Sequence, residues 1–198
     1  VPELRQLATA MNTMVGRLKS IFEEEAARLE SVRREANCDS LTGLANRVLF
    51  FDRLNGAIAA ARRKEGAFAL LYLDLDDFKP INDTFGHEAG DLALRSVAER
   101  LRDCVRESDT VARLGGDEFV LLVNDTADEA AAVTVAEKAI AALTRPLPIG
   151  ECRHSIGASI GIVLYPRHGE DADSLMRHAD TAMYDAKRLG KNRYLLPK

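Results

Sequence analysis

Thr110-Val-Ala-Arg-Leu114 and Phe119-Val-Leu-Leu-Val123 are short apolar runs separated only by Gly115, Gly116, Asp117 and Glu118. Runs this short, rich in Val and Leu and hinged on a glycine pair, read as a β-hairpin. Phe68-Ala-Leu-Leu-Tyr-Leu73 reads as another buried strand, residues 155–165 supply one more, and a last strand falls near Tyr194. Such strands need helices to cover them. Phe51, Leu54, Ile58 and Ala61 give one apolar face at helical spacing, and Leu92, Leu94, Val97, Ala98 and Leu101 give a second within 89–105. Further helices are expected near 127–143 and 173–189. The order βαββαβ, with an additional hairpin or strand, predicts an α+β fold: an antiparallel-rich central sheet of ferredoxin-like type covered by helices.

Ahead of this unit the period changes. Leu4, Leu7, Met11, Met14, Leu18 and Ile21 recur at alternating steps of three and four, the seam of a coiled coil. After Phe22 the seam meets Glu25 and Arg28, while Leu29, Val32 and Ala36 resume four residues out of phase, a stutter that locally unwinds a supercoil. A helix packed on its own domain would also hide a stripe, but a narrow stripe with Arg- and Glu-rich flanks favours a parallel homodimer through this helix. Asp39-Ser-Leu-Thr-Gly-Leu-Ala-Asn46 then breaks the pattern with a glycine and capping residues, and a new helix is expected from about Asn46. The expected division is a signalling helix over 1–36 and a globular domain over 37–198.

Composition removes several function classes. A net charge of −4 does not suit a generic nucleic-acid binder, which needs a basic face to displace counterions. Cys38, Cys104 and Cys152 are odd in number with no CxxC pair, which disfavours a disulfide framework and a zinc site. Cys104 lies on an apolar helix pattern and is expected in the core. His87, His154, His168 and His178 are not spaced as zinc ligands, and the last three are expected at the surface. No apolar run approaches the roughly 20 residues that span a bilayer, and Val1 opens neither a signal peptide nor a complete chain, so the sequence reads as part of a longer protein.

Chemistry concentrates in two places. Asp74-Leu-Asp-Asp-Phe-Lys-Pro-Ile-Asn82 crowds three carboxylates and a lysine at one strand end. Taken alone this is a solvated acidic loop or a site for a hard cation such as Mg²⁺, which keeps waters and takes phosphate oxygens. Gly115-Gly116-Asp117-Glu118 is either a plain acidic turn or a place where a ligand approaches the backbone without meeting a Cβ. Adjacent carboxylates between buried strands favour the second, with Asp74 and Asp117 sharing a cation across neighbouring strands.

Asp74-x-Asp-Asp-Phe-Lys-x-x-Asn-Asp-x-x-Gly-His-x-x-Gly-Asp91 and Arg113-x-Gly-Gly-Asp-Glu-Phe119 strongly resemble the GGDEF diguanylate cyclase family. So do Asp39-Ser-Leu-Thr-Gly-Leu-Ala-Asn-Arg47, Ala182-Met-Tyr-Asp-Ala-Lys187 and Gly190-Lys-Asn192, in the family's order over residues 37–196. The resemblance implies a sheet of nucleotidyl-cyclase type that condenses two GTP into cyclic di-GMP and two pyrophosphates in a dimer. It implies two Mg²⁺ per site, with Mn²⁺ as a substitute, held by Asp74, Asp117, Glu118 and the Leu75 carbonyl, with Asp74, Asp117 and Glu118 as the catalytic set. Asn82 and Asp91 would read guanine. Lys79, Lys187 and Lys191 would meet the triphosphate, cradled by the 75–78 backbone N–H groups including that of Phe78, with Gly115 and Gly116 opening the approach. The family often has Arg where Lys191 stands, and Lys lacks the bidentate fork. His87 fits the motif as a structural residue. Arg106-x-x-Asp109 resembles the family's inhibitory site for its own product, completed by a second arginine that the sequence does not locate; its plain alternative is a helix-end ion pair. Residues 3–14 resemble the closing helix of a HAMP signalling domain, which implies a cytoplasmic domain of a parent anchored in the bacterial inner membrane by segments upstream. The competing expectation is a catalytically idle GGDEF domain that senses GTP or cyclic di-GMP.

Overall fold

In the computed structural model, which describes residues 2–126, 128–149 and 152–197, strand β1 (Phe68–Asp76) is buried along its whole length. It lies between two antiparallel neighbours: β3 (Glu118–Val123), in register from Ala69↔Val123 to Asp74↔Glu118, and β6 (Gly157–Tyr165), from Phe68↔Tyr165 to Asp76↔Gly157. β2 (Thr110–Gly115) closes one edge against β3, and β7 (Arg193–Leu195) runs parallel to β6 at the other, giving the order β2-β3-β1-β6-β7. This is the ferredoxin-like arrangement with one added strand. A separate hairpin, β4 (Leu147–Ile149) with β5 (Cys152–His154), is the additional hairpin the pattern allowed.

Alternation along β1 sorts the core into two layers. Ala69, Leu71, Leu73 and Leu75 pack with Phe78 and Ile81 of α3 (Phe78–Phe85), Val97 and Leu101 of α4 (His87–Asp103), and Ala136 of α5 (Glu129–Leu143). Leu70 and Tyr72 face the other way, onto Phe50 and Leu54 of α2 (Arg47–Lys64) and Leu175, Ala179 and Met183 of α6 (Ala172–Arg188). α6 lies so close to the sheet that a Cβ at Gly161 would overlap the Ala179 carbonyl. Caps fix the helix starts: the Asn46 side chain accepts from Leu49 N–H at 3.0 Å, and Asp171 accepts from Ser174 N–H at 2.8 Å.

α1 (Pro2–Asn37) is one 36-residue helix, continuous through the phase break after Phe22. Met11, Met14, Leu18, Ile21, Leu29 and Val32 are exposed on it. Leu4 and Leu7 of the expected seam, and Cys152, lie outside the residues whose side chains are described. Ala127, the expected start of α5, lies outside the described residues too.

Two departures from the sequence pattern matter for the site. β1 runs on through Asp76 where an end at Leu73 was expected, because ladders on both sides satisfy its backbone and partners from other elements meet its acidic side chains. α3 was not foreseen as a helix: Pro80, Asn82 and Asp83 read as loop, yet Pro80 sits in the first turn, where its missing N–H breaks no bond.

Candidate active site

β1 and the β2–β3 hairpin end side by side. Asp74 stands directly across from Glu118, and Leu75 N–H donates to the Asp117 carbonyl at 3.2 Å, bringing the glycine turn to the strand end. Gly115 (φ +149°) and Gly116 (φ +51°) occupy backbone space that favours glycine, and a Cβ at either would meet nothing. The face over these glycines is therefore open. Since Leu75 N–H is already engaged, the expected 75–78 cradle loses its first donor.

The three carboxylates of the strand end have three different settings. Asp74 is 9% exposed, and Lys187 Nζ of α6 lies 2.6 Å from its Oδ1. Burial pushes the Asp74 carboxyl above its ordinary range, Asp117 and Glu118 add to the rise, and Lys187 opposes it. Glu118 also lies beside Tyr72, whose phenol is pushed up by burial and by that carboxylate. Asp76 is buried and accepts from the Ser159 hydroxyl and the Asn192 backbone. Asp77 is exposed and pairs with Lys191 Nζ at 2.5 Å, which holds that ammonium's pKa above its ordinary value. The lysine foreseen for a triphosphate is thus occupied by a carboxylate.

A nearly buried carboxylate whose pKa two further carboxylates raise, with one lysine against it, suits a hard cation. Among the described residues no three His, Cys, Asp or Glu side chains converge closely enough to cage one. Such an ion would have to draw ligands from backbone carbonyls, water and phosphate as well, which is how Mg²⁺ is commonly held.

Asp77 precedes α3 in a left-handed conformation (φ +57°) and makes no capping hydrogen bond, so the first turn of α3 starts uncapped, with Lys79 exposed on it. An uncapped helix start directs free N–H groups and a partial positive charge outward. Asn82 packs between α3 and α4: a Cβ at Gly90 would overlap its Oδ1, so only glycine lets the helices close on this amide. Asp91 follows Gly90 and is half-buried, one residue along α4 from the glycine that the Asn82 amide packs against.

Arg113 was quoted in the sequence motif without a role. Its Nε and Nη2 donate to the Gly116 carbonyl at 2.9 and 2.8 Å, and its Nη1 donates to both Asp39 oxygens at 3.1 and 3.2 Å. Its own N–H donates to Ala45 O. Burial tends to raise the Asp39 pKa, but hydrogen bonds from Thr42 and Arg113 outweigh it and leave the carboxyl below its ordinary value. One guanidinium therefore ties the Asp39–Ala45 segment to the glycine turn. The legible signal was an Arg two residues before the glycines together with an Asp at the domain entrance.

Arg106 and Asp109 lie apart from this site, on a hollow of about 430 Å³ also lined by Arg53 of α2 and Arg102 of α4. The simple ion-pair alternative is not what holds Asp109: its Oδ2 accepts from Arg106 backbone N–H and its Oδ1 from Asn124 N–H. Two arginines are thus available where the sequence located none. Cys104 is half-buried at the edge of the core, with Sγ 3.1 Å from Arg100 O. Of the three histidines expected at the surface, His178 is exposed, while two are half-buried: the His154 ring lies tilted against Phe85 with centroids 4.7 Å apart, and His168 Nδ1 accepts from Leu164 N–H.

Comparison with known proteins meets the same residues. The family described as "Diguanylate cyclase, GGDEF domain" matches residues 36–193. MucR of Pseudomonas aeruginosa, a bifunctional diguanylate cyclase/cyclic di-GMP phosphodiesterase, is 46% identical over 192 residues, 95% of this chain but only 28% of its own length. The GGDEF domain of TpbB (YfiN) from the same organism superposes with a TM-score of 0.79 at 42% identity, covering 82% of this chain and 95% of that one. The coiled coil and GGDEF domain of DgcB from Caulobacter crescentus, solved with c-di-GMP, gives 0.79 at 31% identity and covers 94% and 98%. With the family model matched over residues 36–193 and these solved GGDEF domains superposing on the same chain, the chain belongs to the GGDEF diguanylate cyclase family.

Proposed function

We propose that this chain is a diguanylate cyclase module: paired through α1, two copies each bind one GTP, and each 3′-hydroxyl attacks the α-phosphate of the other nucleotide, closing cyclic di-GMP and releasing two pyrophosphates. The observation that carries this is the gathering at one strand end of the nearly buried Asp74 carboxylate, Glu118 directly across from it, Asp117 and Lys187, next to the uncapped start of α3. Asp74, Asp117, Glu118 and the Leu75 carbonyl would hold two divalent cations, Mg²⁺ or Mn²⁺. When bound, such ions supply charge stabilisation at the α-phosphate and the departing pyrophosphate.

The chain's own groups do the rest. The N–H groups at the start of α3 receive phosphate oxygens, with Lys79, Lys187 and Lys191 neutralising charge. For this Lys187 leaves Asp74 and Lys191 leaves Asp77. Asn82 and Asp91 meet the guanine edge; a carboxylate accepts from the ring N–H and amino group, which adenine does not offer. Gly115 and Gly116 leave room for the second nucleotide, and Glu118 stands nearest its attacking hydroxyl. The gain in rate comes from holding two reactants in line. The exposed stripe from Met11 to Val32 supports pairing through α1, preceded by HAMP-like segments of a membrane-anchored parent. Among the described residues no helix is long and apolar enough to cross a membrane. Arg106 and Asp109, joined by Arg53 or Arg102, serve as the product's inhibitory site.

Incubation of the purified chain with GTP and Mg²⁺, beside Asp117→Ala and Glu118→Ala, tests this. Cyclic di-GMP and pyrophosphate from the unmodified chain alone are expected. GTP binding without product, with dimerisation verified, overturns the cyclase reading in favour of a sensor.

A further inference from the structure

Of the three carboxylates at the end of β1, two face lysines and one does not. Asp76 is 7% exposed; its Oδ2 accepts the Asn192 N–H at 2.8 Å, and its Oδ1 accepts the hydroxyl of Ser159, itself fully buried, at 2.7 Å. Neither donor is a cation, so an arriving triphosphate does not compete for either of them. This contact stays in place while Lys187 and Lys191 exchange their carboxylates for phosphates.

What Asp76 holds is a strained turn. Gly190, Lys191 and Asn192 have φ of +118°, +61° and +45° in succession. For residues with a side chain that conformation costs about 1–2 kcal/mol each. The turn leaves α6 directly, with Lys191 N–H donating to Ala186 O at 3.2 Å, and rests against the start of β6 at Gly157. A Cβ at Gly157 would come within 3.1 Å of Asp76 Oδ2 and 3.2 Å of Asn192 Oδ1. The Lys191–Asp77 pair is exposed, and exposed pairs fix little. The backbone is held at its start by the Lys191 N–H bond to Ala186 and at its end by the β6–β7 pairing from Arg193, and the buried Asp76 carboxylate holds its middle at Asn192.

We propose that Asp76 is a positioning residue for nucleotide binding: by accepting the Asn192 N–H it sets the 190–192 turn so that Lys191 presents its ammonium to the triphosphate beside Lys187. The identity of the ligand rests on the cyclase reading above; the anchoring of the turn does not. Asp76 touches no phosphate itself and acts through Lys191.

The test compares Asp76→Ala, Asp76→Asn, Ser159→Ala and Gly157→Ala in the full chain. Three readouts are taken: Kd for a fluorescent GTP analogue with Mg²⁺, KM and kcat for GTP, and Tm. Asp76→Ala is expected to weaken analogue binding and raise KM about tenfold, with kcat at saturation within about threefold, since the loss of one charge-assisted hydrogen bond to phosphate has an effect on binding of about this size. Asn can accept from Asn192 through Oδ1 and donate to Ser159 through Nδ2, so Asp76→Asn should return Kd and KM to within about twofold of the unmodified chain. Ser159→Ala should lower Tm and leave Kd and KM unchanged. Gly157→Ala keeps the carboxylate but presses a methyl on both partners; it should raise KM as Asp76→Ala does, and it serves if the latter does not fold. The proposal is overturned if the Ala variants at 76 and 157 lower Tm without moving Kd or KM, or if Ser159→Ala raises KM as much as Asp76→Ala. Should the unmodified chain bind the analogue but form no product, the cyclase reading falls while the Kd comparison still decides the role of Asp76.

Discussion

Asp74 carries its charge where burial, Asp117 and Glu118 all disfavour it, and Lys187 offsets this only in part. Its folded pKa lies above the ordinary 3.8, so between those two values the native state binds more protons than the unfolded chain, and stability falls as pH rises through that window. At neutral pH the metal-free protein therefore bears a penalty that Asp74→Asn removes. That variant should raise Tm without metal, lose the Tm gain that Mg²⁺ with GTP gives the unmodified chain, and form no product; a lower Tm would show that the Lys187 pair outweighs burial. Asp39 behaves in the opposite sense. Its folded pKa is depressed, so it stabilises above pH 3.8 and that contribution is lost as pH falls further. In Asp39→Asn the acid limb of the stability profile should flatten. Because the same change loosens Arg113 from the entrance segment, kcat should drop about 10-fold or more while analogue binding holds, the pattern of a misplaced turn rather than a lost ligand. Turnover and binding measured on one preparation separate these.

At the scale of elements, close approach explains glycines that no turn requires. Gly161 lets α6 lie on β6, and a methyl there meets the Ala179 backbone, which cannot rotate away. Gly161→Ala should cost about 1–3 kcal/mol in urea unfolding, the range for overpacking, and would do so with the active-site residues unaltered. Gly90 plays the same part between α3 and α4, but what it meets is the Asn82 amide. Gly90→Ala should therefore displace the Asn82 amide and reduce selectivity for GTP over ATP, read from analogue Kd values, with a smaller loss of stability than at Gly161. Equal selectivity in both proteins would detach Asn82 from guanine recognition. These glycines carry no local signal, since neither has a positive φ; only the packing of one element on another shows their use.

For the whole molecule, pairing is the decisive requirement of the proposed reaction, in which one domain would hold only one of the two nucleotides. The α1 side chains Met14, Leu18 and Ile21 are 65%, 48% and 59% exposed, an apolar row whose burial against a second copy would stabilise by about 25 cal/mol per Å². Replacing Leu18 and Ile21 together by Ala should shift the chain toward monomer in light scattering and lower specific activity, with activity recovering as protein concentration rises. A monomer of undiminished, concentration-independent turnover would refute pairing through α1. Removal of divalent cations by a chelator should abolish turnover and leave the fold intact, since both core layers are held by apolar side chains.

The sequence by itself determined the apolar run of β1, the hairpin at Gly115–Gly116, the helices α1 and α6, most of the buried faces of α2 and α4, and the family; within those faces the structure corrects Phe51, which is only partly buried while Phe50 takes the core position, and Leu92, which is 59% exposed. All of these are written in spacing a few residues long, because strand and helix periods are local properties of the backbone. Tertiary structure decided what each acidic residue does. Asp74, Asp76 and Asp77 are nearly adjacent in the chain and look alike there. In the fold they face α6, β6 with the 190–192 turn, and solvent beside Lys191, and so become a candidate ligand, an anchor and an exposed ion pair. The same holds for Arg113 and Asp39, 74 residues apart, and for Arg53 and Arg102 beside Arg106. A carboxylate's role is set by burial and by partners brought from distant segments, and distance along the chain carries no record of distance in space.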